Sequence, residues 1–375
     1  MKLTKYKLGD LIQQRREKYS GSEQLPIRGV SREGFIPPKQ EGANTDIYNV
    51  FYRNDFVFNP ARMELNSIAL NVFYDKAICS SLYEIFYITR EDILLPEYLN
   101  LYIKRDEFAR KCWFEAVGSA RNYFRVSNLS EFNIMLPPLP VQQKYVDIYN
   151  AMIANQQSYE RGLDDLRIVF EGYLDELRKK EELKAIRPYI SLVETKNDSL
   201  EYGLESVKGV SIEKKFIDTK ADMINVNLKP YYIVQPNEFA YVTVTSRNGG
   251  KISLAINDTN KPLICSSSYV VFRSNDYDKL LPQYLMLYFS RAEFNRYARF
   301  NSWGSARETF NFDDMCDVKI PIPDVSVQKS IADIFAAYNE RKKINEQLKS
   351  QIKDICPILI KGSLEECEQF ETNER

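Results

Sequence analysis

GSARNYF at residues 118–124 and GSARETF at residues 304–310 carry one tetrapeptide 186 positions apart, and that interval decides the fold. The same offset links Cys79-Ser80-Ser81 to Cys265-Ser266-Ser267, and LLPEYLNLYIKRDEFAR from Leu94 to LLPQYLMLYFSRAEFNR from Leu280. It also links Asp147-Ile148-Tyr149 to Asp333-Ile334-Phe335. Upstream, NDFVF at Asn54 resembles NEFAY at Asn237 with an offset of 183, the slip that a loop of different length produces. A fixed internal period sets architecture before any local reading does. The chain is two copies of one unit, alike at apolar positions and unlike where loops are expected.

Within each copy, short runs rich in Tyr, Val, Ile and Phe are divided by Asn, Asp, Gly and Pro, as in DIYNVFYRNDFVFNP and FAYVTVTSRNGGKISLAI. Alternation and β-branching predict strands, and RNGG and NDTN predict hairpin turns. The run from Leu94 places apolar residues at helical spacing, with Leu95-Pro96 as its start. After each copy comes a proline-rich hinge, MLPPLPVQQ and then IPIPDVSVQ, where proline pre-sets an extended lead into the next segment.

Beyond the hinges the period changes. Val141, Tyr145, Ile148 and Met152 alternate steps of four and three. Gln156, Tyr159, Leu163, Leu166, Phe170, Tyr173 and Leu177 continue after one extra step of four, a heptad seam with a stutter. Val327, Ile331, Ile334, Tyr338, Leu348, Ile352, Ile355 and Leu359 form a second seam, with Arg341 and Asn345 in its middle seats. Pro357 is expected to bend or end that helix and leave Leu359 outside it. A helix from Val141 to Leu183 would be about 65 Å long. Two such narrow seams are covered most simply by each other, in antiparallel pairing, with Gln156, Arg341 and Asn345 fixing register. The expected fold is α+β: recognition domains at 1–140 and 187–326 with pseudo-twofold symmetry, and spacer helices at 141–186 and 327–375 forming a long antiparallel two-helix coiled coil. The pairing set is Tyr145, Ile148, Met152, Tyr159, Leu163, Leu166, Phe170, Ile331, Ile334, Tyr338, Leu348 and Ile352.

Composition narrows the chemistry. The 375 residues suffice for two domains, and 44% hydrophobic with 27% charged content is that of a globular chain. No apolar run would cross a bilayer and no signal-peptide core opens the chain, so the expected location is cytoplasmic. The six cysteines include no CxxC pair, and no metal site is expected. Histidine is absent, which removes the commonest general base and metal ligand. Net charge is −1 with no strongly basic region, so nucleic-acid binding would rest on local patches or a partner.

Two unlike heads on one rigid spacer suit a duplex target with two half-sites about one turn, ~34 Å, apart. Arginine pairs bidentately with guanine or phosphate, and the small residues before Arg121 and Arg307 permit close approach. Candidate contacts are Ser119, Arg121, Asn122, Tyr123 and Arg125 in the first copy, with Ser305 and Arg307 in the second. The inter-strand loops add Asn59, Arg62, Asn66 and Ser67 in FNPARMELNS, and Thr243, Thr245, Ser246, Arg247, Asn248 and Lys251 in TVTSRNGGK. The tetrapeptide itself is read as a shared frame and phosphate anchor, with base choice left to the divergent loops.

These parts resemble a type I restriction-modification specificity subunit over nearly the whole chain. The carriers are the two-copy layout, the LPEYL and LPQYL helices, GSAR followed by an aromatic, and the junctions LPPLPVQQKYVDIY and IPIPDVSVQKSIADIF. Gln142 or Val327 stands where the family usually has Glu, which bears on a contact at the helix start. The resemblance implies two target-recognition domains, each reading half of a bipartite DNA sequence. It implies partners: double-stranded DNA, two methyltransferase subunits, and restriction or motor subunits, with no membrane. S-adenosylmethionine would sit on the methyltransferases, which flip an adenine, and this chain would catalyse nothing.

Nothing in the sequence makes a stronger enzyme. Asn59-Pro60-Ala61-Arg62 lacks the second proline and the aromatic of an NPPY-type methylation motif. Glu213-Lys214-Lys215 satisfies an E-x-K nuclease fragment, but such charged triples are usually solvated. The alternatives are the recognition subunit of a system with a fused methyltransferase-nuclease partner, separable by co-purification, and a coiled-coil scaffold that binds no DNA.

Overall fold

The structure, a computed structural model, describes residues 2–21, 23–38, 45–116, 123–245, 250–304 and 307–373. Its contacts form two compact units, Met1–Tyr159 with Ile344–Arg375, and Glu160–Lys343. The first contains β1 (Thr4–Lys7), β2 (Ile12–Arg15), β3 (Gly29–Ser31), β4 (Gly34–Ile36), β5 (Asn49–Tyr52), β6 (Phe56–Phe58), β7 (Ile68–Leu70), β8 (Lys76–Cys79), β9 (Glu84–Ile88), α1 (Pro96–Ile103), α2 (Asp106–Ala116), α3 (Val126–Ser130) and β10 (Asn133–Leu136). The long α4 (Leu139–Lys180) begins in it and continues into the second. There follow β11 (Leu183–Ala185), β12 (Ile190–Leu192), β13 (Lys208–Val210), β14 (Phe216–Asp218), β15 (Tyr232–Val234), β16 (Phe239–Val242), β17 (Leu254–Ile256), β18 (Leu263–Cys265), β19 (Tyr269–Ser274), α5 (Pro282–Ser290), α6 (Ala292–Phe300), α7 (Phe312–Cys316), β20 (Lys319–Pro321) and α8 (Val325–Asn373).

Both units have one topology. A four-stranded antiparallel sheet runs β2-β9-β6-β7 in the first and β12-β19-β16-β17 in the second. Strand pairs β1–β10, β3–β4 and β5–β8 in the first match β11–β20, β13–β14 and β15–β18 in the second. Alternation explains the core, because successive side chains leave opposite faces of a strand. Phe56, Phe58 and Phe86 enter the larger core of the first unit while Val57, Ala69 and Ile85 enter the smaller. Phe239, Tyr241 and Phe272 divide from Ala240, Ala255 and Val271 in the same way. Phe56 stacks on Phe86 at 4.8 Å and Phe239 on Phe272 at 4.8 Å.

Two buried amides join the helices to the heads. Gln142 Oε1 accepts from Leu95 N at 3.0 Å, and its Nε2 donates to Ile93 O and Pro137 O, each at 2.8 Å. Gln328 repeats this with Leu281 N at 2.9 Å, Lys279 O at 2.7 Å and Pro323 O at 2.8 Å. The repeat offset therefore pairs Gln142 with Gln328 and Val141 with Val327. Gln142 and Val327, read above as one position, are neighbours in the motif, and it is the two valines that stand together before the glutamines.

The helices pair antiparallel within each unit. In the first, Tyr145 Oη donates to Glu366 at 3.0 Å, Lys144 bridges to Glu366 at 2.8 Å, and buried Gln156 donates to Asn345 at 2.9 Å. In the second, Phe170 packs on Phe335 and Tyr338 at 5.5 and 5.4 Å, and Gly162 leaves room for the Arg341 guanidinium. Each pair also completes its head. Val146, Cys356, Leu359 and Ile360 join the first core, and Phe170, Leu174, Leu177 and Ile331 join the second.

That double duty shifts the seam. Tyr145, Met152, Tyr159, Leu163, Leu166, Ile334, Tyr338, Leu348 and Ile352 are half-buried, and Phe170 and Ile331 are buried. Ile148 is 40% exposed, and Val146 and half-buried Tyr149 take the inner face instead. Tyr173 is likewise exposed while Leu174 is buried, so the stutter falls after Phe170, where the helix turns from its partner toward the head. Arg341 is exposed, but its guanidinium lies against Gly162 of the facing helix. Pro357 does not end α8, and Leu359 is buried inside it. Pro357 faces solvent, so the carbonyl it frees one turn earlier can be hydrated, while Cys356, Leu359 and Ile360 hold the helix from the other side.

Candidate nucleic-acid interface

In each unit the loop between the sheet's last two strands meets the segment after the second head helix. In the first, Phe124 N donates to Pro60 O at 2.9 Å, which seats residues after 122 on the turn 60–65. In the second, Thr245 N donates to Glu308 O at 3.0 Å and Phe310 N to Thr243 O at 2.8 Å. Phe124 and Phe310, the aromatics closing the two tetrapeptide motifs, are fully buried and pack edge-on against Phe58 and Tyr241. Core burial of these rings fixes where the polar segments emerge.

Arg62 is exposed on the 60–65 turn, at a backbone φ of −141° that departs from the helical turn around it. Asn59 caps that turn through Ala61 N at 3.0 Å. Tyr123 is half-buried, with the Arg125 guanidinium 5.9 Å from its ring centre. Arg125 is exposed and bridges to Glu84 at 3.2 Å. Arg307 is exposed, and its carbonyl lies 2.3 Å from where a Cβ on Gly304 would stand. With φ at +141°, Gly304 therefore admits no other residue without a shift in the backbone. Lys251 is exposed and bridges to Glu213 at 3.4 Å, and Thr243 is half-buried. Ser119, Arg121, Asn122, Ser246, Arg247, Asn248 and Ser305 lie outside the described residues.

Three predicted contacts serve the frame instead. Buried Ser67 donates to Val30 O at 3.1 Å. Buried Thr245 donates to Ser302 Oγ at 2.9 Å. Asn66, with φ at +55°, ends the 60–65 turn and donates to Ile103 O at 3.0 Å. Asn66 also lines a cleft of about 960 Å³ between the β3–β4 hairpin, α1 and the helix pair.

In the charged triple at 213–215, Glu213 and Lys215 are exposed as expected and Lys214 is not. Lys214 reaches inward and donates to Ile252 O at 2.8 Å and Asn295 Oδ1 at 2.9 Å. Burial, helped by nearby Lys251, pushes its ammonium down to about 7. Burial pushes the Cys79 and Cys265 thiols up to about 12, which makes them inert core groups. Among the described residues, no group of His, Cys, Asp or Glu could hold a metal ion, and no helix is long and apolar enough to cross a membrane.

Phe114 and Phe300 were missed by the sequence reading. They are 72% and 79% exposed, at the ends of α2 and α6, and the repeat offset relates them. Exposed Trp113 and Trp303 stand close by in sequence. The repeat was the available signal, because an aromatic kept twice at a position outside the helix's buried face is not explained by packing.

Comparison with known proteins agrees with this architecture. A family described as the type I restriction modification DNA specificity domain matches residues 39–166 and 173–354. No curated protein matches in sequence. Among solved structures, the S subunit of a type I restriction-modification system from M. genitalium is 12% identical over 96% of both chains, with a TM-score of 0.62, a shared fold. The HsdS subunit from Thermoanaerobacter tengcongensis is 16% identical over 96% of both chains, with a TM-score of 0.44.

Proposed function

This chain belongs to the type I restriction-modification DNA specificity family, and from that premise we propose that its two heads each read one half of a bipartite duplex target. The observation that carries the reading is the shared corner: two segments meet at one place in both heads, joined by the Phe124–Pro60 bond in one and the Thr245–Glu308 bond in the other. The frames agree and the exposed side chains differ, as two half-sites of unlike sequence require. Arg62 and Arg307 are phosphate anchors at these corners, and the variable loops choose bases. The paired helices set the gap between half-sites. Methyltransferase subunits carrying S-adenosylmethionine, and restriction or motor subunits, supply all the chemistry, and this chain supplies none.

The test uses the chain assembled with its methyltransferase partners. Arg62→Ala and Arg307→Ala should each weaken duplex binding similarly across sequences and lower the salt slope by about one unit. Seven-residue insertions matched in both helices, after Tyr159 and before Ile344, should change the preferred gap while both half-sites stay the same. Binding, salt slope and gap all left as in the unaltered protein would refute the reading.

A further inference from the structure

Lys214 stands where a lysine is hard to explain by folding. Its φ is +61°, the left-handed region that costs an ordinary residue about 1–2 kcal/mol. The matching hairpin of the first unit, β3–β4, turns through Gly34 at φ +119°, which avoids that cost. A strained position held by a bulky residue points to a use for its side chain. Here the side chain crosses to the inter-strand loop of the second head's corner and to the helix that precedes the corner's other segment. Ile252 ends the loop that begins at Thr243, and Asn295 lies on α6, the helix that leads to Trp303 and Gly304. The next contact is on the same hairpin: Glu213 bridges to Lys251 at 3.4 Å. Asn66 occupies the loop position matching Ile252 in the first unit, and it clamps α1 through an uncharged amide.

We propose that Lys214 is a positioning residue for base recognition by the second head, its side-chain nitrogen clasping the Ile252 end of the loop after β16 to α6. The inference rests on the DNA reading above. Among the described residues, Lys251 from the loop is the charged neighbour and disfavours protonation, and Glu213 on the same hairpin is engaged with Lys251. From α6 come uncharged Asn295 and the Phe294 ring, 5.4 Å away. Burial disfavours the charged form, so the clasped amine gains over an unclasped, solvated ammonium as pH rises from about 7 toward 10.5. At the matching turn of the first head Gly34 has no side chain, and the one that reaches α2 is Arg32, which bridges to Asp106 at 3.2 Å and stays charged across this pH range. One chain thus contains its own control: recognition should depend on pH at one half-site and not at the other.

The experiment selects from a random-sequence duplex pool with the chain in its methyltransferase complex, at pH 6 and pH 8.5, and sequences the bound fraction. With the unaltered chain, discrimination at the second half-site should rise about fivefold at the higher pH, within the roughly tenfold per pH unit that linkage allows above about 7. Discrimination at the first half-site should hold. Lys214→Gly relieves the backbone and so retains the fold; it should lose second-site discrimination at both pH values. Lys214→Arg should keep a charged clasp and remove the pH dependence. Hydrogen exchange at 250–252 should quicken in Lys214→Gly. If the unaltered chain enriches two half-sites but Lys214→Gly changes neither the second site nor exchange at 250–252, the clasp is refuted while the DNA reading stands. If the unaltered chain enriches no bipartite sequence, the DNA reading falls and the inference with it.

Discussion

Replacing Gln142 by leucine tests whether the buried amides hold each head to its helix. The substitution keeps the volume and removes three hydrogen bonds, leaving Leu95 N, Ile93 O and Pro137 O without partners in a dry site. A stranded buried polar group costs about 1–3 kcal/mol, so the three together should cost about 3–9 kcal/mol. A loss of 3 kcal/mol raises the rate of local opening roughly a hundredfold. Hydrogen exchange followed by mass spectrometry reads this directly. Amides of α1 should exchange about a hundredfold faster in Gln142→Leu while those of α5 keep their rates. Gln328→Leu should do the reverse, to nearly the same extent, because its three bonds match those of Gln142 within 0.1 Å. Gln142→Glu sharpens the test. A carboxylate can accept from Leu95 N, but its other oxygen would face two carbonyls, so the buried acid holds its proton. Its folded pKa is then above the unfolded one, so its stability is full at low pH and is lost as pH rises through the folded value. Gln142→Glu should therefore be less stable at pH 7 than at pH 4, relative to the unaltered chain. Exchange in α1 within a few-fold of normal in Gln142→Leu would refute the reasoning.

Two further outcomes come from other contacts. Gln156→Leu removes the 2.9 Å bond to Asn345 and strands part of a buried amide, which should lower stability by about 1–3 kcal/mol in urea unfolding. Lys214 is depressed from 10.5 to about 7 on folding, so between those values the unfolded chain binds the extra proton and stability should rise with pH. Lys214→Met should flatten that rise across pH 7–10, as measured by urea midpoints. A slope equal to that of the unaltered chain would show that the ammonium is not held in the folded protein.

Much of the fold is legible in the sequence because the residues that repeat are those that make the same bonds twice. Phe86 and Phe272, Gln142 and Gln328, and Asn71 and Asn257 each occupy matching places at the repeat offset, and each pair makes matching contacts. The helix pairing follows from the narrow seams. What the seams hide is the second surface each helix covers: a helix caught between a partner and a head has a wider buried face than a heptad. That is why Val146 and Leu174 turn inward where Ile148 and Tyr173 were expected. The interface is less legible. Asn66, Ser67 and Thr245 look in sequence like Arg62 or Arg307, polar residues in loops between strands. Only coordinates separate a side chain spent on its own backbone from one left facing water. Lys214 is the opposite case, a residue in a charge run of the solvated type that nonetheless turns inward.

The division of α8 between the two units bears on how the protein is made. A ribosome releases a chain from its N-terminus onward, and domains usually fold as they emerge. The second unit is continuous, and everything it needs is present once Lys343 has been released. The first unit must wait, because Cys356, Leu359 and Ile360 fill its core, and Ser363 meets the Tyr98 hydroxyl at 2.7 Å. The head translated first is therefore the last to close, and until then it presents an unfinished apolar flank to whatever protects nascent chains.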